Sequence, residues 1–217
     1  MTSKLKAKAY RLAGGSQTVF SAAFQEKRLS FESTKKQTEK LYSTICHIID
    51  EYDTIGMNKF EKVGDAFSTY GARFEDSDAT ASLENAKETF NAVGKLHRDF
   101  KNTVAENVTS YLKQWIDGGG KEAAAEIKTL ETRRDELDIA TNKLRGKEDN
   151  TELQDVKKMA ESAFEEQLKR TEKKIDEEMI NVQKLVSKSV AKFMELESKL
   201  FKEVKTTFKK GAEAIKC

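Results

Sequence analysis

Lysine and arginine side chains are the groups of this sequence whose type and spacing could do chemistry. Four of them open the chain, at Lys4, Lys6, Lys8 and Arg11, and no acid precedes Glu26. Seven more lie in a stretch with helical spacing near the middle: Lys121, Lys128, Lys143, Arg145, Lys147, Lys157 and Lys158. A basic side chain beside an anionic leaflet contributes roughly 1 kcal/mol of attraction. These residues are therefore the candidate contacts to an anionic phospholipid membrane.

Acidic residues interleave with the central basic set, so this stretch has no large positive charge of its own. They are Glu131, Asp135, Glu136, Glu148, Asp149, Glu152 and Asp155. Opposite charges four residues apart on a helix form ordinary surface pairs, and such pairs are the alternative to a membrane-binding face. The whole chain has a net charge of only +2, and its basic residues lack interleaved aromatics for base stacking. We therefore expect no nucleic-acid partner.

Motifs of enzymes and metal sites are incomplete in this sequence. His97-Arg98-Asp99 matches a kinase tripeptide, but no glycine-rich loop accompanies it. Gly120-Lys121 is followed by Glu122, where a phosphate-binding loop requires serine or threonine. Cys46 and Cys217 are too far apart for a metal cluster or a disulfide framework, which favours a reducing compartment. We expect no catalytic residue, metal or cofactor, and a cytoplasmic protein that is soluble or peripheral to a membrane.

Residues 1–24 form a basic amphipathic segment, which we separate from a domain over residues 25–217. Apolar residues recur on one face from Leu5 to Phe24, as in segments that lie in a membrane interface. Gly14-Gly15 interrupts this pattern, and two adjacent glycines weaken an isolated helix by roughly 2 kcal/mol relative to alanine. We expect the segment to be unstructured in water. It either folds on a lipid surface or remains a solvated basic tail.

The domain itself is predicted to be all-α, with three long helices. The chain has no proline and 35% charged residues, a composition typical of long helices. The helices are predicted over residues 27–71, 79–145 and 151–210. Apolar residues alternate in threes and fours along them, as in coiled coils. We expect a bend near Gly56, a kink or a loop at Gly118–Gly120, and a turn at Gly146.

Apolar residues are distributed unevenly along the second and third helices. The half of each helix that adjoins the Gly146 turn is poor in apolar residues, whereas the opposite halves are rich. Folding back at this turn predicts a three-helix base with a two-helix arm. The large residues assigned to the base are Phe90, Phe100, Tyr111, Trp115, Phe193, Phe201 and Phe208. They exceed what three helices bury, which predicts an elongated, curved antiparallel homodimer.

Two consecutive runs in the second helix carry a family resemblance. The run EIKTLETRRDELDIATNKLR, preceded by VAENVTSYLKQWID, resembles the second helix of BAR (Bin/amphiphysin/Rvs) domains. Arg133, Arg134, Leu137 and Asp138 stand where that family has an arginine-leucine-aspartate signature. The chain departs from the family pattern at Ile139-Ala140, where an aromatic-acid pair is common. The N-terminal segment looks like the extra helix of the N-BAR subgroup.

The resemblance implies an antiparallel coiled-coil bundle that forms a crescent-shaped homodimer. In this family the concave face binds anionic membranes and senses or induces their curvature, and a role in trafficking or endocytosis is the family expectation. The alternative is a lipid-independent coiled-coil scaffold that binds a protein partner such as a small GTPase. Binding to lipid vesicles discriminates between these two hypotheses.

Overall fold

A computed structural model describes residues 14–52, 56–74 and 78–215, together with residues 5, 7 and 10. The helices are α1 (Ala22–Asp50), α2 (Lys59–Gly71), α3 (Asp78–Val104), α4 (Ser110–Asp117), α5 (Gly119–Leu144) and α6 (Thr151–Ala214). A π-helical turn at Ala105–Thr109 joins α3 to α4. The described residues contain no strand, and the predicted all-α fold is confirmed.

Buried residues recur every seven positions along α1 and α6, the two longest of the described helices. In α1 they are Phe24, Phe31, Thr38 and Ile45. In α6 two such series occur, Phe164, Thr171 and Glu178 in one and Ile175, Val182, Ser189 and Leu196 in the other. A seven-residue repeat is the pattern of coiled-coil packing. The helices therefore pack along narrow seams, as the spacing in threes and fours predicts.

The predicted first helix is two helices rather than one bent helix. α1 ends at Asp50 and α2 begins at Lys59. The Asn58 side chain accepts the backbone N–H of Glu61 at 3.1 Å, and the Glu61 side chain accepts the backbone N–H of Asn58 at 3.0 Å. This reciprocal capping box starts a new helix. The prediction of one continuous helix is wrong. The apolar spacing continues in α2, so it does not reveal that the capping box at Asn58 starts a separate helix.

The chain divides into two compact units, which we name the arm unit and the base unit. The arm unit contains Met1–Gln37 and Gln114–Gln183, and the base unit contains Thr38–Lys113 and Lys184–Cys217. The base core consists of Ile45, Ile49, Phe100, Val104, Val108, Leu112, Leu196 and Leu200. The first half of α1 belongs to the arm unit, so the prediction of a two-helix arm is wrong. The physical reason is that Phe24 and Phe31 are buried there.

Glu61 has a second role in the base unit besides its part in the capping box. Its carboxylate accepts Arg98 Nη1 at 2.6 Å and also contacts Arg98 Nη2. The side chain is nearly buried, with the residue 9% exposed. The hydrogen bonds from Arg98 lower the pKa of Glu61, although burial opposes this shift. The ionised carboxylate is therefore the form that stabilises the fold.

Replacing Glu61 with glutamine should reduce the free energy of unfolding by about 1.5–3 kcal/mol at pH 7, the usual contribution of a hydrogen bond to a charged group. Because the folded-state pKa is lowered, this contribution is present above the ordinary glutamate pKa of about 4.3. It is lost as the pH falls through the lower folded-state value. Urea titrations of the wild type and Glu61→Gln at pH 7, 5, 4 and 3 measure the difference.

The control for this titration is Asp65→Asn, because Asp65 is an exposed acid on the same helix. Its difference from the wild type should stay within about 0.5 kcal/mol throughout the titration. A Glu61→Gln difference of constant size from pH 7 to pH 3 would show that the carboxylate charge does not stabilise the fold.

Candidate functional site

Gly118 separates α4 from α5, and Gly119 and Gly120 form the first residues of α5. α4 ends at Asp117 and α5 starts at Gly119, which agrees with the predicted kink or short break. A Cβ atom on Gly119 would lie 2.0 Å from Glu178 Oε2, so a larger residue here would displace this carboxylate from its present position. Glu178 accepts Trp115 Nε1 at 3.0 Å. Trp115 thus lies in the arm unit, and its assignment to the base is wrong because it pairs with Glu178.

Three of the predicted lysines lie on one exposed face of α5. Lys121 and Lys128 are seven residues apart, and at about 100° per residue Lys143 falls about 40° from Lys121 around the helix. All three side chains are exposed. The residues buried on the other side of α5 include Ile127, Leu130 and Leu137. The helix therefore presents a row of ammonium groups on the face opposite its apolar seam.

The turn between α5 and α6 carries bases and acids together. Arg145 and Lys147 are exposed there, and the backbone N–H of Lys147 donates to the Leu144 carbonyl at 2.8 Å. The Glu148 carboxylate accepts the backbone N–H of Gly146 at 2.8 Å, and this bond lowers the pKa of Glu148. The turn therefore has no uniform positive charge.

Six of the seven central bases have neither an ion-pair partner nor a side-chain hydrogen-bond partner within the ranges that the structure describes. They are Lys121, Lys128, Lys143, Lys147, Lys157 and Lys158. Lys157 is half-buried and the others are exposed. Acids of α5 pair instead with other bases, as Glu131 with Arg28, Glu136 with Arg133, Glu122 with Lys174 and Glu126 with Arg170, each at 2.8 Å. The lysines thus remain available although acids interleave with them.

The remaining basic candidates differ from these six. Arg145 Nη1 donates to the Gly14 carbonyl at 3.1 Å, so its guanidinium already has a partner. Lys4, Lys6, Lys8 and Arg11 lie outside the described residues, and their part in membrane binding stays a prediction.

Residues 14–20 lie along α5, although the sequence predicts an unstructured segment. The backbone N–H of Thr18 donates to Asp138 Oδ1 at 2.7 Å, and that of Ser16 donates to Asn142 Oδ1 at 3.0 Å. The expectation is wrong for these residues because side chains of α5 satisfy their backbone groups. Sequence reasoning did not identify Asn142, since a single polar side chain that binds a distant backbone leaves no periodic signal.

The kinase-like tripeptide has packing roles in the base unit. The His97 ring lies between Tyr52 and Phe60, with centroid distances of 4.6 and 4.5 Å, and burial lowers its pKa. Arg98 binds Glu61. In the described part of the chain, no group of three or more His, Cys, Asp or Glu residues could hold a metal ion. Nor does any helix described there combine the length and apolarity needed to cross a bilayer.

Comparison with known proteins assigns the chain to a family. The family model of the BAR domain matches residues 3–214, whereas no curated protein matches significantly. The match spans nearly all of the sequence and includes the α5 stretch that carries the arginine-leucine-aspartate signature. Together with the long helices and their heptad seams, it shows that this chain belongs to the BAR domain family.

Proposed function

We propose that this chain is a homodimeric module that binds the surface of anionic membranes in the cytoplasm and acts in trafficking or endocytosis. BAR domains sense or induce membrane curvature and are membrane-binding modules rather than enzymes. The preference for anionic lipid is supported by the set of six lysines in the arm unit without ion-pair partners.

Electrostatics make these lysines the favoured contacts. A lysine in a surface ion pair must give up its partner before it can bind a phosphate, whereas an unpaired lysine has no such cost. Lys121, Lys128 and Lys143 share one face of α5, so they meet a flat anionic surface together. Each contributes roughly 1 kcal/mol near such a surface, and the sum is less than additive because salt screens the charges.

Exposed apolar residues of the base unit support the homodimer. Met194 and Phe201 are each 66% exposed, although such side chains normally lie inside a monomer. With Val190, they follow spacings of four and seven along α6, which place them on one face. Tyr111 is also exposed. A second copy of the chain is the partner that would cover this face, and BAR domains generally dimerise.

Sedimentation with vesicles at two salt concentrations tests the proposal. The protein should pellet with phosphatidylserine vesicles at about 0.01 M salt, where the Debye length is about 30 Å, and largely stay in the supernatant at about 1 M salt, where it is about 3 Å. Phosphatidylcholine vesicles are the neutral control. Absence of pelleting at low salt would rule the proposal out. If the chain then bound a small GTPase, that result would support the scaffold alternative.

The homodimer has its own measurement. Light scattering should give a mass of about twice the 24.5 kDa of one chain. A monomer mass over the concentrations used for sedimentation would contradict the homodimer without deciding the question of lipid binding.

A further inference from the structure

A cavity of about 520 Å³ lies within the base unit, where the π-helical turn and α4 face α6. Tyr111, Leu185 and Ala191 supply its apolar lining. Pockets that bind small molecules have roughly 300–1,000 Å³ and are mostly apolar, with a few polar groups that orient the ligand. The cavity therefore has the size and the lining of a small-molecule site.

The π-helical turn forms part of the wall of this cavity. The backbone N–H of Ser110 donates to the Ala105 carbonyl, a bond that spans five residues instead of the usual four. Asn107 lies in this turn and lines the cavity, and its side-chain amide donates to the Thr103 carbonyl at 2.9 Å. Single π-helical turns within α-helices are frequent at functional sites. The backbone irregularity and the cavity thus coincide.

Two polar side chains of α6 line the cavity without a protein partner in the described part of the chain. Lys188 is exposed at its mouth and has no ion pair there. Ser189 is 2% exposed, and its hydroxyl makes no hydrogen bond to a described residue. Lys192 binds the nearby Glu195 carboxylate at 2.8 Å, so this acid is already neutralised. The cavity therefore combines an apolar lining with one uncompensated cation and one buried hydroxyl.

The α6 side of the cavity does not share the face that we assign to the homodimer. At about 100° per residue, Lys188 lies about 160° from Val190 around α6, and Lys192 lies about 160° from Met194. A second copy that covers Val190 and Met194 therefore leaves these lysines accessible.

We infer that this cavity binds a fatty acid, with its alkyl chain against Tyr111, Leu185 and Ala191 and its carboxylate at Lys188. The uncompensated ammonium group selects an anionic head, and the Ser189 hydroxyl supplies a hydrogen-bond donor inside the cavity. A small inorganic anion would leave the apolar lining in contact with water, whereas an alkyl chain covers it. The site goes beyond the proposed function and depends on neither membrane binding nor dimerisation.

Calorimetric titration of the full-length protein with dodecanoate, kept below the concentration at which micelles form, tests the site. One molecule should bind per chain. Affinity should rise from octanoate through decanoate to dodecanoate, about fourfold for each methylene that enters the cavity. Dodecyltrimethylammonium has the same chain length and the opposite charge, and it should bind at least fivefold more weakly. Equal affinity for the two amphiphiles would overturn the inference.

Two variants of lining residues locate the bound molecule. Lys188→Gln should weaken dodecanoate binding about fivefold, the factor that corresponds to an ion pair of about 1 kcal/mol. Ala191→Phe places a ring in the cavity and should weaken binding tenfold or more. Circular dichroism of each variant checks that the helices remain folded.

Matched substitutions elsewhere in the base unit are the controls. Lys205→Gln removes the same charge from an exposed position about 25 Å further along α6. Ala66→Phe adds the same ring at an exposed position of α2. Both should leave the affinity within about twofold of the wild type. Losses equal to those of Lys188→Gln and Ala191→Phe would show that dodecanoate does not bind in this cavity, and would overturn the inference.

Light scattering with saturating dodecanoate separates the cavity from the homodimer face. The mass should be the same with and without the fatty acid. If a second copy also covered Tyr111, dodecanoate would compete with it and the mass would fall to that of one chain. That result would overturn the inference, because the groups assigned to the fatty acid would then belong to the interface between copies.

Discussion

Replacing Lys121, Lys128 and Lys143 with glutamine should weaken binding to phosphatidylserine vesicles about 100-fold at low salt. Each lysine contributes roughly 1 kcal/mol near an anionic leaflet, and about 1.4 kcal/mol corresponds to a tenfold change in affinity. The three side chains are exposed on one face of α5 and have no ion-pair partner among the described residues. Their replacement removes attraction to the membrane and exposes no new carboxylate. Titration of vesicles at constant protein concentration measures the loss.

The matched control is a triple variant that changes the net charge equally. Lys173, Lys199 and Lys209 are exposed lysines of α6, and each lies 3.8–3.9 Å from a glutamate four residues later. Their replacement with glutamine should change affinity by less than about threefold. Similar losses in both triple variants would mean that the overall charge, rather than the α5 face, attracts the membrane.

Salt concentration should separate the two triple variants further. At about 0.15 M ionic strength the Debye length is about 8 Å, so only lysines that directly approach the membrane still contribute. The difference between the α5 variant and the wild type should therefore shrink with salt but persist. A difference that vanishes between 0.01 and 0.15 M would indicate long-range attraction without contact.

Apolar periodicity predicts the helices of this fold well. The third helix is predicted over residues 151–210, and α6 is Thr151–Ala214. Heptad packing follows from the same spacing, because burial along a narrow seam repeats every seven residues. The turn at Gly146 follows instead from the glycine and the polar residues after it. Apolar spacing does not predict which residues of different helices contact each other. The π-helical turn at Ala105–Thr109 also escapes prediction, since such single turns are rare in helices.

The candidate site is predictable only in part, for a related reason. Charge and helical spacing identify Lys121, Lys128 and Lys143 and place them on one face. These lysines lack ion pairs because the neighbouring acids are paired with basic residues of other helices. Glu131 of α5, for example, pairs with Arg28 of α1. Such pairs between helices require the register of the bundle. Sequence spacing within one helix does not supply that register.

The first half of α1 is the largest departure from the predicted arm, and Phe31→Ala tests it directly. Phe31 is fully buried in the arm unit, and truncation of a buried phenylalanine to alanine costs about 3–5 kcal/mol. We expect the free energy of unfolding to fall by this amount. Urea unfolding followed by circular dichroism and by fluorescence of Trp115, the one tryptophan of the chain, gives the value. Equal protein concentrations are needed because dimerisation couples stability to concentration.

Leu29→Ala is the matched control, because Leu29 lies two residues away on α1 and is 63% exposed. Its cost should stay within about 0.5 kcal/mol. If α1 left the arm uncovered, as the two-helix prediction has it, Phe31→Ala would cost as little as Leu29→Ala. A large difference between the two variants would instead show that the first half of α1 covers the arm unit and buries Phe31 there.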